Sequence, residues 1–410
     1  MAEDVGSDVG SDMAEDVGSD KGSDKGSDMG ETMTACLACH AAVGKSELFC
    51  EACGAELTPA VVAETPSTDG AAAESRADEP AEPDDLQGTD PICKVCGGKV
   101  STDGYCDTCG SRAPRRRDHF SENPASWVAA VSDRGLRHTR NEDAVALAAE
   151  AEPGSRAVLV VCDGVSNSND SDLASLAAAR AARAVLGSSR SQGIGTETSL
   201  VAAVIARLEA ATDAASDAVI EVSGRARSMA AVGSPAGAAT VDSPAPPLAA
   251  VGNPASCTFV AAVVEQNLVV VGSVGDSRAY WLPDSGSPAV LTVDDSFAQE
   301  QITSGVPRLE AESGPQSHAI TRWLGVDAPD HTPATVSMTV TEPGWLVVCS
   351  DGLWNYCSLA PDLASLVERT ASQSPADAEP LALAGALVEW ANSQGGQDNI
   401  TVALARLHPS

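Results

Sequence analysis

The side chains best suited to chemistry in this chain are cysteines and aspartates, and each set is spaced for a metal. Eight of the twelve cysteines form four CxxC pairs: Cys36 with Cys39, Cys50 with Cys53, Cys93 with Cys96, and Cys106 with Cys109. Ten residues separate the first two pairs and nine the last two. A CxxC pair lets two thiolates reach one ion from a tight knuckle turn, and two knuckles complete a tetrahedral site. Glycine follows each closing knuckle (Gly54, Gly110), and Gly97-Gly98-Lys99 follows Cys96. No thioredoxin-like strand-and-helix pattern surrounds the pairs, so metal is favoured over redox chemistry. The expectation is two structural Zn²⁺, since four thiolates leave no vacancy for water.

The acids are spaced differently. Three apolar runs end in an aspartate beside a small residue: Val161-Cys162-Asp163-Gly164, Val274-Gly275-Asp276-Ser277 and Cys349-Ser350-Asp351-Gly352. Taken singly, each reads as a strand-ending turn. Two further clusters make that reading insufficient. Asn141-Glu142-Asp143 follows the basic run Arg137-His138-Thr139-Arg140, and Gly396-Gln397-Asp398-Asn399 precedes the last apolar run. A hard divalent cation takes carboxylate oxygens and water, and two adjacent ions need a shared carboxylate. Carboxylates at the ends of several strands can converge on such a site. No Cys or His pair lies among them, which favours Mg²⁺ or Mn²⁺ over zinc. Cys162 and Cys349 sit inside apolar runs and read as small core residues rather than nucleophiles.

Several short strands and a few helices must position these groups. WVAAVSD, AVLVVCDG, CTFVAAVV, NLVVVGSVGD, GWLVVCSDG and ITVALARL read as buried strands. Residues 172–187 read as a helix with Ser171 or Asp172 as cap and Gly187 as stop. Leu200, Val201, Val204, Ile205 and Leu208 recur at helical spacing, and 381–390 does the same. Strands and helices do not alternate strictly, so the class is α+β rather than a doubly wound sheet.

The remainder bounds the organisation. Residues 1–33 hold ten acids against two lysines in a GSD repeat and have almost nothing to bury, so disorder is expected. A first ribbon-like cysteine unit spans 34–54, an acidic Pro/Ala-rich linker 55–91, a second ribbon 92–111, and a linker 112–126 that carries Arg115-Arg116-Arg117. Both cysteine units resemble zinc ribbons. A larger domain covers 127–408, with a low-complexity insertion at about 224–256. Acids outnumber bases 58 to 25, giving a net charge of −33, which speaks against a nucleic-acid partner. Thirteen aromatics leave little for base stacking. No apolar run is long enough for a membrane span, and the first residues lack the basic and apolar regions of a secretory signal. A cytoplasmic location is expected, where CxxC pairs imply metal rather than disulfides.

Six motifs in order and spacing then resemble the metal-dependent Ser/Thr protein phosphatases, the PPM family of type 2C, bacterial branch. They are Asp133-Arg134-Gly135 with Asn141-Glu142-Asp143; Asp163-Gly164; Gly275-Asp276-Ser277-Arg278-Ala279-Tyr280; Ile320-Thr321-Arg322-Trp323-Leu324-Gly325; Ser350-Asp351-Gly352-Leu353-Trp354; and Gly396-Gln397-Asp398-Asn399-Ile400-Thr401. The resemblance covers about 127–408. It implies a central antiparallel β-sandwich with helices on both outer faces, preceded here by the two small ribbons. It implies metal ligation by Asp143, Asp163, Asp351 and Asp398. Asp163 would bridge two Mn²⁺ or Mg²⁺ ions with the Gly164 carbonyl, and Glu142 would hold water. Asp276, with Asp351, matches the positions of a third ion in bacterial members.

Two departures stand out. The family's phosphate-holding arginine position is His138 here, which passes that role to Arg137 or Arg140. Val165-Ser166-Asn167 replaces the glycine pair after the bridging Asp-Gly, and the histidine that eukaryotic members carry there is absent. The implied reaction is direct hydrolysis of phosphoserine and phosphothreonine in proteins, the substrates of a Ser/Thr kinase, by water bridging the ions. The alternatives are a phosphatase of anti-sigma-cascade regulators and an inactive adaptor docking partner proteins through its ribbons. An inactive adaptor predicts missing metal acids, and all four are present.

Overall fold

The computed structural model describes residues 34–35, 42–43, 89, 92–233, 253–372 and 379–409, with backbone alone for 34–35, 42–43 and 226–233. The chain divides into two units, Met1–Glu79 and Pro80–Ser410. In the first unit, β1 (Thr34–Ala35) and β2 (Ala42–Val43) pair antiparallel. Cys36, Cys39, Cys50 and Cys53, the repeat over 1–33 and most of the 55–91 linker lie outside the described residues.

The second unit is built on two antiparallel sheets. One has the order β11-β10-β14-β15-β4-β3, from Ala289–Val290, Arg278–Pro283, Gly344–Cys349, Ile400–Leu407, Val128–Asp133 and His119–Ala125. The other has the order β13-β9-β8-β6-β5, from Ala334–Thr339, Leu268–Val274, Phe259–Glu265, Arg156–Asp163 and Asp143–Ala149. A short pair, β7 (Ser256–Cys257) with β12 (Leu324–Gly325), sits beside them.

Side chains alternate across each strand. On β6, Ala157, Leu159 and Val161 enter the core between the sheets, while Val158, Val160 and Cys162 face helices. On β14, Leu346 and Val348 face the inter-sheet core, while Trp345, Val347 and Cys349 meet the helices beyond it. Strands buried on both faces read as unbroken apolar runs, which is why the sequence reveals them. Helices α1 (Ser171–Gly187) and α2 (Glu197–Gly233) cover one sheet. Helices α6 (Ala360–Ala371) and α7 (Pro380–Gln394), with the short α5 (Asp351–Trp354), cover the other. Two further short helices, α3 (Phe297–Thr303) and α4 (Arg308–Glu312), lie in the 291–323 connection. The expected α-β-β-α order is the observed one. Helix α1 is alanine-rich because Ala174, Ala178, Ala179 and Ala182 are fully buried, and small side chains let it lie close to its neighbours.

Three expectations are corrected. The 112–126 linker is not one: Arg116–Asp118 form a 3-10 turn and β3 adds an edge strand to the first sheet. Its sequence, HFSENPA, is polar and contains a proline, as an edge strand tolerates, so no apolar run announces it. The larger domain therefore begins before residue 119. Neither Ser171 nor Asp172 is the N-cap of α1; Asp170 holds that position, in a left-handed conformation with φ 51° and without a side-chain capping bond, and the other two side chains serve the site described below. Finally, α2 continues through Gly233, so the first ten residues of the expected 224–256 insertion are helical; 234–252 lie outside the described residues.

Because Phe120 and Ala125 pack on the inter-sheet core, a chain beginning at Trp127 loses buried surface and bares the β4 edge. It is expected to melt about 5 °C or more below a chain beginning at Arg115. Equal melting temperatures by circular dichroism would show β3 to be dispensable.

Candidate active site

The five aspartates singled out in the sequence lie at the same ends of the two sheets. Asp143 opens β5 and Asp163 closes β6, and the two are direct cross-strand partners. Asp276 follows β9, Asp351 follows β14 as the first residue of α5, and Asp398 precedes β15. Asp143, Asp276 and Asp351 are 0%, 4% and 8% exposed. The close approach of their loops demands glycine. A Cβ on Gly164 would lie 2.5 Å from the Ser171 carbonyl, and one on Gly352 would lie 2.0 Å from the Asn399 carbonyl.

The charges in this cluster are not balanced by the protein. Among the described residues, no Lys or Arg ion-pairs with Asp143, Asp163, Asp276 or Asp351. Burial raises the Asp143 carboxyl to about 6, against the Ser350 hydroxyl, which donates to its Oδ2 at 2.6 Å. Burial and then Asp294 raise Asp276 to about 7. Asp163 is driven well above the usual carboxylate range by burial, then by Asp143, Asp351 and Asp398. Asp351 is driven up likewise by burial, Asp398 and Asp276. Oδ1 of Asp143 and Oδ1 of Asp351 are buried without a hydrogen-bond partner. Ionising Asp143 alone in the metal-free fold costs on the order of 3 kcal/mol. Orphaned carboxylate oxygens and mutual repulsion are what divalent cations relieve, so the donor set fits hard metal ions.

The surrounding side chains have distinct tasks. Glu142 is held by Arg140, whose Nε and Nη2 donate to its Oε1 at 2.8 and 2.7 Å. Ser171 donates to the same oxygen at 2.6 Å. Arg140 is therefore committed. His138 lies with Nε2 3.1 Å from Asp398 Oδ1 and Nδ1 3.8 Å from Glu142 Oε2. Arg137 is exposed, and its side chain has no hydrogen bond or ion pair among the described residues. The structure also brings in His318, which no motif pointed to, with Nδ1 3.9 Å from Asp351 Oδ2. Arg278 of the second Asp motif is buried over the Trp354 ring at 3.6 Å and pairs with Asp294 and Glu312. Trp354 in turn donates from Nε1 to the Asp276 carbonyl at 3.0 Å. Only tertiary contact reveals that chain. Cys162, Cys257 and Cys349 are fully buried core residues.

The four cysteines of the second unit lie together. The Sγ atoms of Cys93, Cys96, Cys106 and Cys109 all lie within 4.8 Å of one another. The two knuckles repeat each other. Gly97 (φ 71°) donates to the Cys93 carbonyl at 2.8 Å, and Gly110 (φ 70°) donates to the Cys106 carbonyl at 2.9 Å. Main-chain amides of Cys109 and Thr108 hold the Cys106 thiol below its ordinary value. Cys93, Val100, Cys106 and Ala113 form a core of only four side chains, too small to order the unit alone.

An acid whose pKa is raised by folding contributes most stability below its unfolded value near 4, and loses it as pH rises through the folded value. For Asp143 and Asp276 that window runs from about 4 to about 7. Metal binding must displace the retained protons. The Mn²⁺-induced rise in melting temperature is therefore expected to be larger at pH 8 than at pH 5.5, with proton release on binding at the lower pH. Differential scanning fluorimetry and calorimetry in two buffers check this; a larger shift at pH 5.5 would contradict the assignment.

Comparison with known proteins agrees with this geometry. Residues 134–390 match the family model described as protein phosphatase 2C. The serine/threonine phosphatase stp of Listeria innocua is 34% identical over 148 residues, 36% of this chain and 55% of that one. The serine/threonine protein phosphatase PstP of Mycobacterium tuberculosis is 34% identical over 150 residues, 36% of this chain and 27% of its own. The chain thus spans about half the length of the Listeria relative it matches. Among solved structures, the Streptococcus agalactiae serine/threonine phosphatase superposes with a TM-score of 0.50 at 23% identity, covering 70% of this chain and all of that one. Stp1 of Staphylococcus aureus gives 0.51 at 21%, covering 68% and 94%. These two share the fold. On the family match and the carboxylate cluster together, the chain belongs to the protein phosphatase 2C family of metal-dependent Ser/Thr phosphatases.

Proposed function

We propose that this chain is an active phosphoprotein phosphatase that hydrolyses phosphoserine and phosphothreonine with Mn²⁺ or Mg²⁺. The observation that carries the proposal is the convergence of Asp143, Asp163, Asp276 and Asp351 at one site with two orphaned buried oxygens and, among the described residues, no Lys or Arg ion pair. Asp143, Asp163, Asp351 and Asp398, with the Gly164 carbonyl, are the residues that hold two ions, and Asp276 with Asp351 suits a third. Ions there supply charge neutralisation for a phosphate and acidify water at neutral pH.

The remaining steps belong to side chains of this chain. Glu142, fixed through Oε1, has on Oε2 only the His138 ring at 3.8 Å and no hydrogen bond, which leaves that oxygen able to accept from a water and orient it. Arg137 is the basic residue of its loop left unpaired, and a phosphate dianion is the partner suited to it. His138 stays beside Asp398 at the rim. No nucleophilic side chain is required, and no phosphoenzyme forms. An inactive adaptor would have no use for a complete acidic cluster. Replacing Asp163 by Asn keeps shape but removes the charge on which both ions depend. Hydrolysis of p-nitrophenyl phosphate and of a phosphothreonine peptide with Mn²⁺ is expected to fall at least 100-fold, with native circular dichroism. Activity within tenfold of wild type would refute the two-ion site.

The cysteine units are read as zinc-bound recognition modules for a partner protein in the cytoplasm. Support comes from the second one, where Ile92 and Val95 are 63% and 75% exposed. Exposed apolar side chains on so small a unit suit protein contact more than nucleic acid. Metal analysis of the full chain is expected to give two Zn²⁺, and Cys106→Ser one. An unchanged zinc content in that variant would remove the second site.

A further inference from the structure

Arg117 lies outside every motif that identifies the family and before the matched residues, yet it is among the most buried side chains of the molecule, 2% exposed. It follows the last cysteine of the second ribbon by eight residues and sits in the 3-10 turn that leads into β3. Its Nη2 donates to the Asp143 carbonyl at 2.8 Å and to the Ser175 hydroxyl at 2.8 Å. Its Nη1 donates to the Asp172 carbonyl. Its own carbonyl accepts from Asn141 Nδ2 at 3.0 Å. Ser175 passes the contact on by donating to the Glu142 carbonyl. One guanidinium thus joins three elements: the segment after the ribbon, the start of β5 with its two acids, and the first turn of α1.

An ordinary core position does not call for this. A buried charge is costly, and apolar replacements of similar volume often serve stability as well. Burial pulls the guanidinium down to about 10, with Asp172 and then Asp143 opposing. No carboxylate among the described residues pairs with it directly; its charge instead stands behind the acidic cluster. Its planar fork fixes the Asp143 and Asp172 carbonyls at once.

We infer that Arg117 is a positioning residue for the metal centre, holding the Glu142–Asp143 main chain against α1 so that both acids present their oxygens to the ions. This inference rests on the phosphatase reading above. It makes the segment between ribbon and family domain part of the catalytic apparatus rather than a tether. Chemically, Arg117 belongs to the outer shell of the site, which commonly contributes about 10–100-fold to metal affinity or activity.

The test uses the full chain with Arg117→Met, Arg117→Lys and, as a guanidinium removed from the opposite end of β15, Arg406→Met. Three measurements are made: Mn²⁺ affinity by titration calorimetry with the metal alone, hydrogen exchange of residues 141–145 in metal-free protein, and kcat and KM on p-nitrophenyl phosphate. Arg117→Met is expected to weaken Mn²⁺ binding about tenfold or more, speed exchange over 141–145, and lower kcat more than it raises KM. Arg117→Lys, which keeps the charge but spans fewer carbonyls, is expected to fall between. Arg406→Met should change melting temperature alone. If Arg117→Met melts lower but keeps wild-type Mn²⁺ affinity and kcat, Arg117 is only a stabilising side chain and the inference is overturned. If it does not fold, Arg117→Lys decides: Mn²⁺ affinity equal to wild type overturns the inference. A wild-type chain that neither binds Mn²⁺ nor hydrolyses phosphate refutes the phosphatase reading itself, a separate result.

Discussion

Mutual repulsion among buried carboxylates is the constraint around which this molecule is arranged. Asp143, Asp276 and Asp351 are buried and Asp163 partly so, and among the described residues no Lys or Arg ion-pairs with them. Left to themselves, such groups keep protons or push their loops apart. Two stacked sheets resist the second outcome. Each acid sits at the end of a strand most of whose other residues are buried, so displacing one acid would disturb a core.

A ring of neutral donors and remote cations completes the restraint. Ser350 bonds Asp143, Asn355 bonds Asp351, and Asn399 fixes the Glu142 amide while its own side chain reaches the Arg134 and Arg140 carbonyls. Cations are kept one step back. Arg140 holds Glu142, Arg278 holds Asp294 and Glu312 while lying on Trp354, and Arg117 holds main-chain carbonyls. An arginine in direct contact with the aspartates would compete with the metal ions. One placed behind them steadies the backbone and leaves the carboxylate oxygens free.

The two metal chemistries are separated for a physical reason. Four clustered thiols would saturate an ion, and a bound ion would give a small unit the cohesion its four-residue core lacks. Carboxylates with water leave coordination positions open for a substrate. The ribbon nevertheless runs without a long spacer into the Arg115–Asp118 turn, and Arg115 approaches Asp172 at 3.8 Å while Arg117 reaches Asp143. Structural and catalytic parts are therefore contiguous along the chain.

The sequence by itself determined the strands that are apolar throughout, the acids that end them, the paired cysteines, and the family, because each rests on local spacing. It did not determine β3, β5, β10 or β13. β3 is polar along an edge, β5 is alanine-rich, β10 was absorbed into a motif, and β13 is an exposed edge. Nor did it show that Ser171 and Asp172 serve Glu142, Arg140 and Arg115 rather than cap a helix. The separation of roles among Arg137, His138 and Arg140 needed the fold as well, since Arg140 binds Glu142, His138 lies beside Asp398 and Arg137 is left without a side-chain partner among the described residues. Most of all, Arg117 stood in a stretch that reads as a linker. Only the tertiary structure could bury it, because its partners lie 26, 55 and 58 residues away in the chain. Local spacing records which groups end a strand; which groups meet behind them is set by how the strands and helices pack.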